Sequence, residues 1–363
     1  MVDPFALLVA VVLLTLVFDY VNGFHDTANA IATVVSTNVL PPRTAILVAA
    51  VFNFIGAFLG TGVAKTIGGD IASPDAITQT VVLAALGGAI TWNLITWYFG
   101  IPSSSSHALV GGIVGAALTH QVVDSGKEFG ATLHALMTSS GVTKVLIGLV
   151  FSPLAGLLVG FTIMIALYWM VRGRAPGRVT KLFKRLQLLS ASAMALSHGS
   201  NDAQKAMGII TMALVAYYGT HPAAVPGWLD MAAYHASNGK KMPDVPMWVI
   251  VACASAMALG TSAGGWRIMK TMGHKIIKLR PINGFAAETA GAAVILAASH
   301  FHAPVSTTHV ISSAIMGVGA SNRVSAVRWG LAGNIMMAWV LTIPISALVA
   351  ALTYFALRVP FGA

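Results

Sequence analysis

Apolar segments recur along the chain at about 5–21, 26–38, 44–63, 80–99, 103–119, 144–171, 186–198, 203–216, 247–263, 284–300, 305–320 and 329–357. Several are long enough for an α-helix to cross ~30 Å of hydrocarbon. The pattern predicts an all-α polytopic membrane protein. The opening stretch, 5–18, runs into Asp19 and more helix, with no positive n-region and no small-residue cleavage site before it. It therefore reads as a first membrane helix and not as a signal peptide.

Composition agrees with this class. Only 9% of the 363 residues are charged and 56% are hydrophobic, with a mean hydropathy of +0.80. A soluble domain carries roughly 25% charged residues, so this chain lacks the polar surface that water requires. The single Cys253 lies in an apolar run and can form no internal disulfide.

A net charge of +10 would suggest nucleic acid in a soluble protein, but its distribution argues otherwise. With the basic linker RGRAPGRVTKLFKR (172–185) taken as cytoplasmic, the loops near 43, 264–282 and 321–328 share its side. That side holds 14 of the 21 Lys and Arg and no acid. The opposite side mixes Lys65, Lys127, Lys144, Lys240, Lys241 and Arg358 with Asp3, Asp70, Asp75, Asp124, Glu128, Asp230 and Asp244. This is the positive-inside asymmetry, with both termini expected on the outer face. It accounts for the basic charge, and no nucleic-acid partner is expected.

Internal repeats set the expected architecture. GFHDTANA (23–30) aligns with GSNDAQKA (199–206), LGTG (59–62) with LGTS (259–262), and IPSSSSHALVGGIVG (101–115) with APVSTTHVISSAIMG (303–317). Three matches in one order divide the chain into a first half at 1–171, the linker 172–185 and a second half at 186–363. If each Ser/Thr-rich pair is a re-entrant helical hairpin, each half crosses an odd number of times and the halves are inverted. Inverted repeats characterise secondary transporters, which hold substrate at the repeat interface near the midplane.

The repeated motifs carry the chemistry. FGIPSSSS (99–106) and HFHAPVSTT (300–308) interrupt apolar stretches with Pro and runs of hydroxyls. Proline ends the preceding helix and Ser or Thr caps the next, so each motif is expected to start a helix deep in the membrane. Such irregular backbone survives there only inside protein or beside a water-filled cavity. Free N–H groups and the positive dipole end make a helix start an anion site. Hydroxyls from Ser103 to Ser106 and from Ser306 to Thr308 suit a tetrahedral oxyanion; the same residues could instead serve helix packing.

Four acids, Asp19, Asp26, Asp202 and Glu288, fall in apolar segments. Each costs ~2.5–3.5 kcal/mol at the bilayer centre unless partnered. Asp26 and Asp202 occupy equivalent repeat positions, and Asn22, Asn29 and Asn201 beside them make an oxygen-rich setting for a proton or hard cation. Lys205, three residues after Asp202, is the one candidate for a structural ion pair. Of the histidines in or beside the motifs (25, 107, 198, 300, 302 and 309), His25 has the strongest functional claim. His107 and His309 follow the hydroxyl runs symmetrically and could equally position the fold. GGIVG (111–115) is expected to permit close helix contact, and Trp92 and Trp97 to pack or anchor.

The paired GxxD motifs, the two P-x-S-[ST]-[ST]-H hairpins and the basic central linker resemble the PiT family of inorganic phosphate transporters, most specifically in VSTTH (305–309) and SHGSNDAQKA (197–206). The resemblance covers about residues 5–358 and implies a homodimeric symporter of phosphate with sodium or protons in a bacterial inner membrane. It implies phosphate at Ser104, Ser105, Ser106, Ser306, Thr307 and Thr308, with Asp26 and Asn201 contributing. It assigns cation coupling to Asp26, Asn29, Asp202 and Glu288. No catalytic residue, resident metal or cofactor is implied, although a divalent metal could travel with phosphate.

Departures from the family pattern refine this. Phe24 and His25 stand where Ala and Asn are usual, and Asn53 replaces an acid found in some members. Histidine titrates near neutral pH and binds sodium poorly, so His25 joins the coupling set and proton coupling is favoured. Sulfate or another tetrahedral oxyanion on the same scaffold is the alternative cargo. An intramembrane hydrolase lacks a nucleophile elbow or HExxH motif, and a passive channel would not need four membrane acids.

Overall fold

The computed structural model describes residues 3–70, 77–231 and 243–361, and every regular element among them is helical. The first half contributes α1 (Pro4–Ser36), α2 (Pro42–Gly56), α3 (Gly62–Asp70), α4 (Gln79–Phe99), α5 (Ser105–Val123), α6 (Phe129–Met137) and α7 (Ser140–Val171). Then follow α8 (Pro176–Thr220), α9 (Met247–Ala263), α10 (Trp266–Lys270, continued by a π turn at Thr271–Lys275), α11 (Pro281–His300), α12 (Thr307–Asn322) and α13 (Trp329–Phe361). Among the described residues six helices are long and apolar enough to cross a membrane, or seven if α9 and the segment bent 59° from it form one span.

Several segments that look separate in the sequence are one helix. α1 runs through both 5–21 and 26–38, and the 45-residue α8 runs through 186–198 and 203–216. The polar motifs at their centres do not break them, and hydroxyls from distant helices meet the carboxylates of Asp26 and Asp202. The linker is a tight turn, with Gly173 at φ +85°, that passes into the first turns of α8 at Pro176. Proline suits that first position, where no intrahelical N–H bond is lost. The segment 44–63 divides into α2 and α3 after Gly56, and the short α6 had no counterpart in the apolar pattern.

Both hairpins are built alike. α4 ends at Gly100 in the left-handed region (φ +66°), and α11 is followed by His302 at φ +55°. The Gly100 carbonyl accepts from Thr271 Oγ1 at 2.8 Å, and the His302 carbonyl accepts from Thr66 Oγ1 at 3.1 Å. α5 and α12 then start with their N-cap hydroxyls in place: Ser104 Oγ accepts from His107 N at 3.3 Å, and Ser306 Oγ from His309 N at 3.2 Å. This is the helix start that Pro followed by Ser/Thr predicts.

Packing between the halves is reciprocal. α2 lies on α8 as α9 lies on α1, and α12 lies on α7 as α5 lies on α13. Backbones touch at glycines: a Cβ on Gly199 would meet the Asn53 carbonyl oxygen at 2.2 Å, and one on Gly23 the Met257 oxygen at 2.4 Å. Likewise Gly56 abuts the Leu196 carbonyl and Gly260 that of Tyr20. Gly56 therefore corresponds to Gly260 and Asn53 to Met257, which shifts the LGTG–LGTS match by one helical turn.

The core consists of two apolar clusters with a polar layer between them. One gathers Leu8, Val11 and Phe18 of α1 with Ala203, Met207 and Leu214 of α8. The other gathers Ala28, Ile31 and Val34 of α1 with Phe183, Ala191 and Met194 of α8. The buried polar residues Asp19, Asn22, His25 and Asp26 on α1, and Ser197, His198, Asn201 and Asp202 on α8, fall in the gaps. Outward, α7 presents Ile147, Phe151, Leu154 and Leu158, and α13 presents Met337, Val340, Leu348 and Leu352, all more than half exposed. Such apolar faces suit lipid.

Two ion pairs each join segments that the charge pattern placed on one face. Arg358 Nε lies 2.6 Å from Asp124 Oδ1, and Lys65 Nζ 2.6 Å from Asp244 Oδ1. All four were assigned to one face by the charge pattern. Asp75, Lys240 and Lys241, assigned to the same face, lie outside the described residues.

Candidate functional site

The first turns of α5 and α12 meet the polar centres of α1 and α8. Ser105 Oγ donates to Asn22 Oδ1 at 2.5 Å and to Asp26 Oδ2 at 3.2 Å. Thr308 Oγ1 donates to Asp26 Oδ1 at 3.3 Å and accepts from Asn29 Nδ2 at 2.9 Å. Thr307 Oγ1 donates to Asp202 Oδ2 at 3.1 Å. Two helix starts from opposite halves thus converge on two carboxylates, all fully buried. Each start favours negative charge by ~0.3–1 kcal/mol, more when buried, because its first N–H groups lack intrahelical partners.

Histidines extend this centre outward. His25 Nδ1 lies 2.6 Å from Asp26 Oδ1, and its Nε2 lies 3.0 Å from Thr96 Oγ1 on α4. Ser103 Oγ also donates to Thr96 Oγ1, at 2.8 Å. His198 Nε2 lies 3.2 Å from Asp202 Oδ2, and its Nδ1 3.2 Å from Asn53 Oδ1. Asn53 in turn donates to Thr261 Oγ1 at 2.9 Å. One donor atom each from Asp26, His198 and Asp202 lies within 4.8 Å of the others, close enough to share a proton or a small cation. The fully buried Lys205 Nζ donates to Asp202 Oδ1, so a built-in cation already neutralises that carboxylate. His107 and His309 face each other with ring centroids 4.8 Å apart, and His309 stacks on Trp339 at 4.0 Å.

The structure therefore brings together His25, Asp26, Asn29, Ser105, Asp202, Thr307 and Thr308. Ser104 and Ser306 have their oxygens engaged in capping, and Ser106 is buried in the first turn of α5. Asn201 turns away and donates to Ser299 Oγ on α11 at 3.1 Å. Glu288 belongs to a separate network: it accepts from Thr33 Oγ1 at 2.6 Å, from Gln187 Nε2 at 3.0 Å and from Ser190 Oγ, tying α11 to α1 and α8. That network sits within the apolar cluster near the linker. Lys205 and His198 are visible from their spacing to Asp202, whereas Thr96 carries no sequence signal because its partners lie far along the chain.

The profile described as the "Phosphate transporter family" matches residues 22–350, a span that contains both GxxD motifs and both hairpins. The chain belongs to the phosphate transporter family. A Bacillus subtilis protein named "Probable low-affinity inorganic phosphate transporter" is 48% identical over 98% of each chain. A Rhizobium meliloti protein of the same name is 48% identical over 97% of each. A solved structure titled "The sodium-dependent phosphate transporter" superposes with a TM-score of 0.76 at 24% identity, covering 98% of this chain and 99% of that one. At that identity the likeness speaks for the fold. The substrate class of the family is phosphate, a tetrahedral oxyanion of the kind two converging helix starts accommodate.

Proposed function

We propose that the chain is a secondary active symporter of inorganic phosphate in a bacterial inner membrane, coupled to protons in preference to sodium. The observation that carries this reading is the convergence of two capped helix starts, through Ser105, Thr307 and Thr308, on Asp26 and Asp202. The donors are hydroxyls and N–H groups suited to phosphate, and the carboxylates require a cation before an anion can join them. Phosphate would be held by residues 104–106 and 306–308, with Asp26, Asn29, Asp202 and His25 binding the coupling cation. Asn201 bonds instead to Ser299, and Glu288 to its own network of Thr33, Gln187 and Ser190.

Cation loading offsets repulsion between carboxylate and phosphate, so the two loadings are cooperative. The apolar clusters on either side of the polar layer serve as the two barriers of alternating access. Each opens in turn as one half, 1–171 or 186–363, moves against the other as an inverted repeat. On this reading both termini lie outside, linker 172–185 lies in the cytoplasm, and the protein works as a homodimer. It acts as a carrier, not an enzyme, and needs no resident cofactor; a divalent metal entering as metal–phosphate would be cargo.

Proton coupling is supported by His25 and by Lys205. Lys205 fills the repeat position equivalent to Asn29, where a neutral amide could instead have ligated sodium. Radiolabelled phosphate uptake into proteoliposomes, under imposed proton or sodium gradients and with sulfate as competitor, tests the proposal. Uptake should follow the proton gradient and ignore sulfate. Uptake driven by sodium alone overturns the coupling, and inhibition by sulfate moves the cargo to the wider class of tetrahedral oxyanions.

A further inference from the structure

Asp19 is fully buried, and neither of its carboxylate oxygens has a hydrogen-bond partner. The three other membrane acids are all satisfied: Asp26 by Ser105, Thr308 and His25, Asp202 by Thr307 and Lys205, and Glu288 by Thr33, Gln187 and Ser190. An ionised carboxylate left alone in this setting is costly enough to take up a proton or a cation instead.

The neighbours of Asp19 decide between those two. The Asn22 amide NH2, one turn along α1, is the nearest neutral donor to Asp19 but lies outside hydrogen-bonding geometry, while the Asn22 oxygen accepts from Ser105. Lys205 and Asp202 on α8 are the charged groups in electrostatic reach, and the Cys253 thiol of α9 is also close. α4 and α9, both packed on α1, contain no charged side chain. What surrounds Asp19 is thus mostly donors: an amide NH2, an ammonium and a thiol. A sodium ion takes a shell of oxygens, as hard cations do, and the other carboxylate in reach, Asp202, is already engaged by Lys205 and Thr307. A proton needs no such shell.

We propose that Asp19 carries a coupling proton in addition to the cation held at Asp26, Asp202 and His25, a role that rests on the phosphate-symport reading above. With Asp19 protonated, Lys205 and Asp202 form a neutral pair beside Thr307. With Asp19 ionised, one ammonium faces two carboxylates, and the surplus negative charge opposes phosphate next to Thr307. Proton and phosphate therefore load together, and both leave together on the far side, where the proton passes from the carboxyl group to water.

The test uses the full-length protein in proteoliposomes. Wild type should accumulate phosphate under a pH gradient. Asp19→Asn should lose that accumulation yet keep exchange of labelled for unlabelled phosphate, with exchange no longer responding to pH, and Asp19→Glu should restore accumulation. If wild type ignores the pH gradient, the proton-symport reading fails and takes this role with it. If wild type follows the gradient and Asp19→Asn does so equally, only the role of Asp19 fails. Infrared difference spectra across a pH step give a second readout that does not depend on transport by the variant. A protonated-carboxyl band absent from Asp19→Asn and shifted in Asp19→Glu supports the assignment; an unchanged band in both variants overturns it.

Discussion

Replacing Lys205 with Met keeps an unbranched side chain of similar size but removes the ammonium paired with Asp202. Both side chains are 0% exposed. Removing one partner of a buried ion pair costs ~3–5 kcal/mol, because the other charge is stranded. His198 Nε2 at 3.2 Å and Thr307 Oγ1 at 3.1 Å remain beside Asp202, which places the expected loss at the lower end of that range. A loss of ~3 kcal/mol is about a hundredfold in the folded-to-unfolded ratio. Asp202→Asn strands Lys205 in the same way, with Asp19 as the remaining acid in reach.

The double variant Asp202→Asn/Lys205→Met carries neither charge, and exchanging a buried pair for neutral groups is often close to neutral. Thermal unfolding of the purified proteins in one detergent should therefore rank wild type and the double variant above both single variants. The coupling read from the cycle should be ~2–3 kcal/mol. Lys205→Met unfolding with wild type, or single losses that merely add in the double variant, would refute the argument. Part of the effect of Asp202→Asn on uptake will therefore be lost stability.

Three further outcomes follow from the same geometry. Asp26→Asn, which strands no buried lysine, should stay folded in the membrane and lose phosphate uptake; wild-type uptake by the purified variant would contradict its role. Gly199→Val and Gly23→Val drive a side chain into a facing carbonyl and should lose folded yield by more than the ~1–3 kcal/mol of ordinary overpacking, while Gly177→Ala, with nothing within 4 Å of its Cβ, should match wild type in size-exclusion profile. At the C-terminal end of α5, desolvation alone would raise the Asp124 pKa, but hydrogen bonds from Tyr354 and His120 and the Arg358 charge hold it below the usual carboxylate range. Its stabilising contribution is therefore full at neutral pH and is lost as pH falls towards the depressed folded value. The unfolding-temperature gap between wild type and Asp124→Asn should narrow on acidification, and a gap that widens would reverse the sign.

Much of this was readable because the chemistry is local. Pro102 and Pro304 followed by hydroxyl runs specify a helix break and a capped restart, and α5 and α12 begin there. The Asp202–Lys205 pair follows from a spacing of three on a helix. Other features depend on contacts that no spacing reveals. Thr96 meets His25 across 71 residues, and Thr33 meets Glu288 across 255. α1 and α8 run continuously through motifs that look like interruptions. LGTG and LGTS align by composition, but the backbone contacts of Gly56 and Gly260 set the true register, one turn away. Asp19 was visible only as an acid in an apolar run; its lack of partners is a property of the folded protein.

The central claim is that an oxyanion sits between the starts of α5 and α12. An experimental structure of the purified protein with phosphate bound tests it most directly. The account predicts density within hydrogen-bonding distance of Ser105, Thr307 and Thr308, beside Asp26. Phosphate bound elsewhere, with those three hydroxyls still turned onto Asp26 and Asp202, would contradict it.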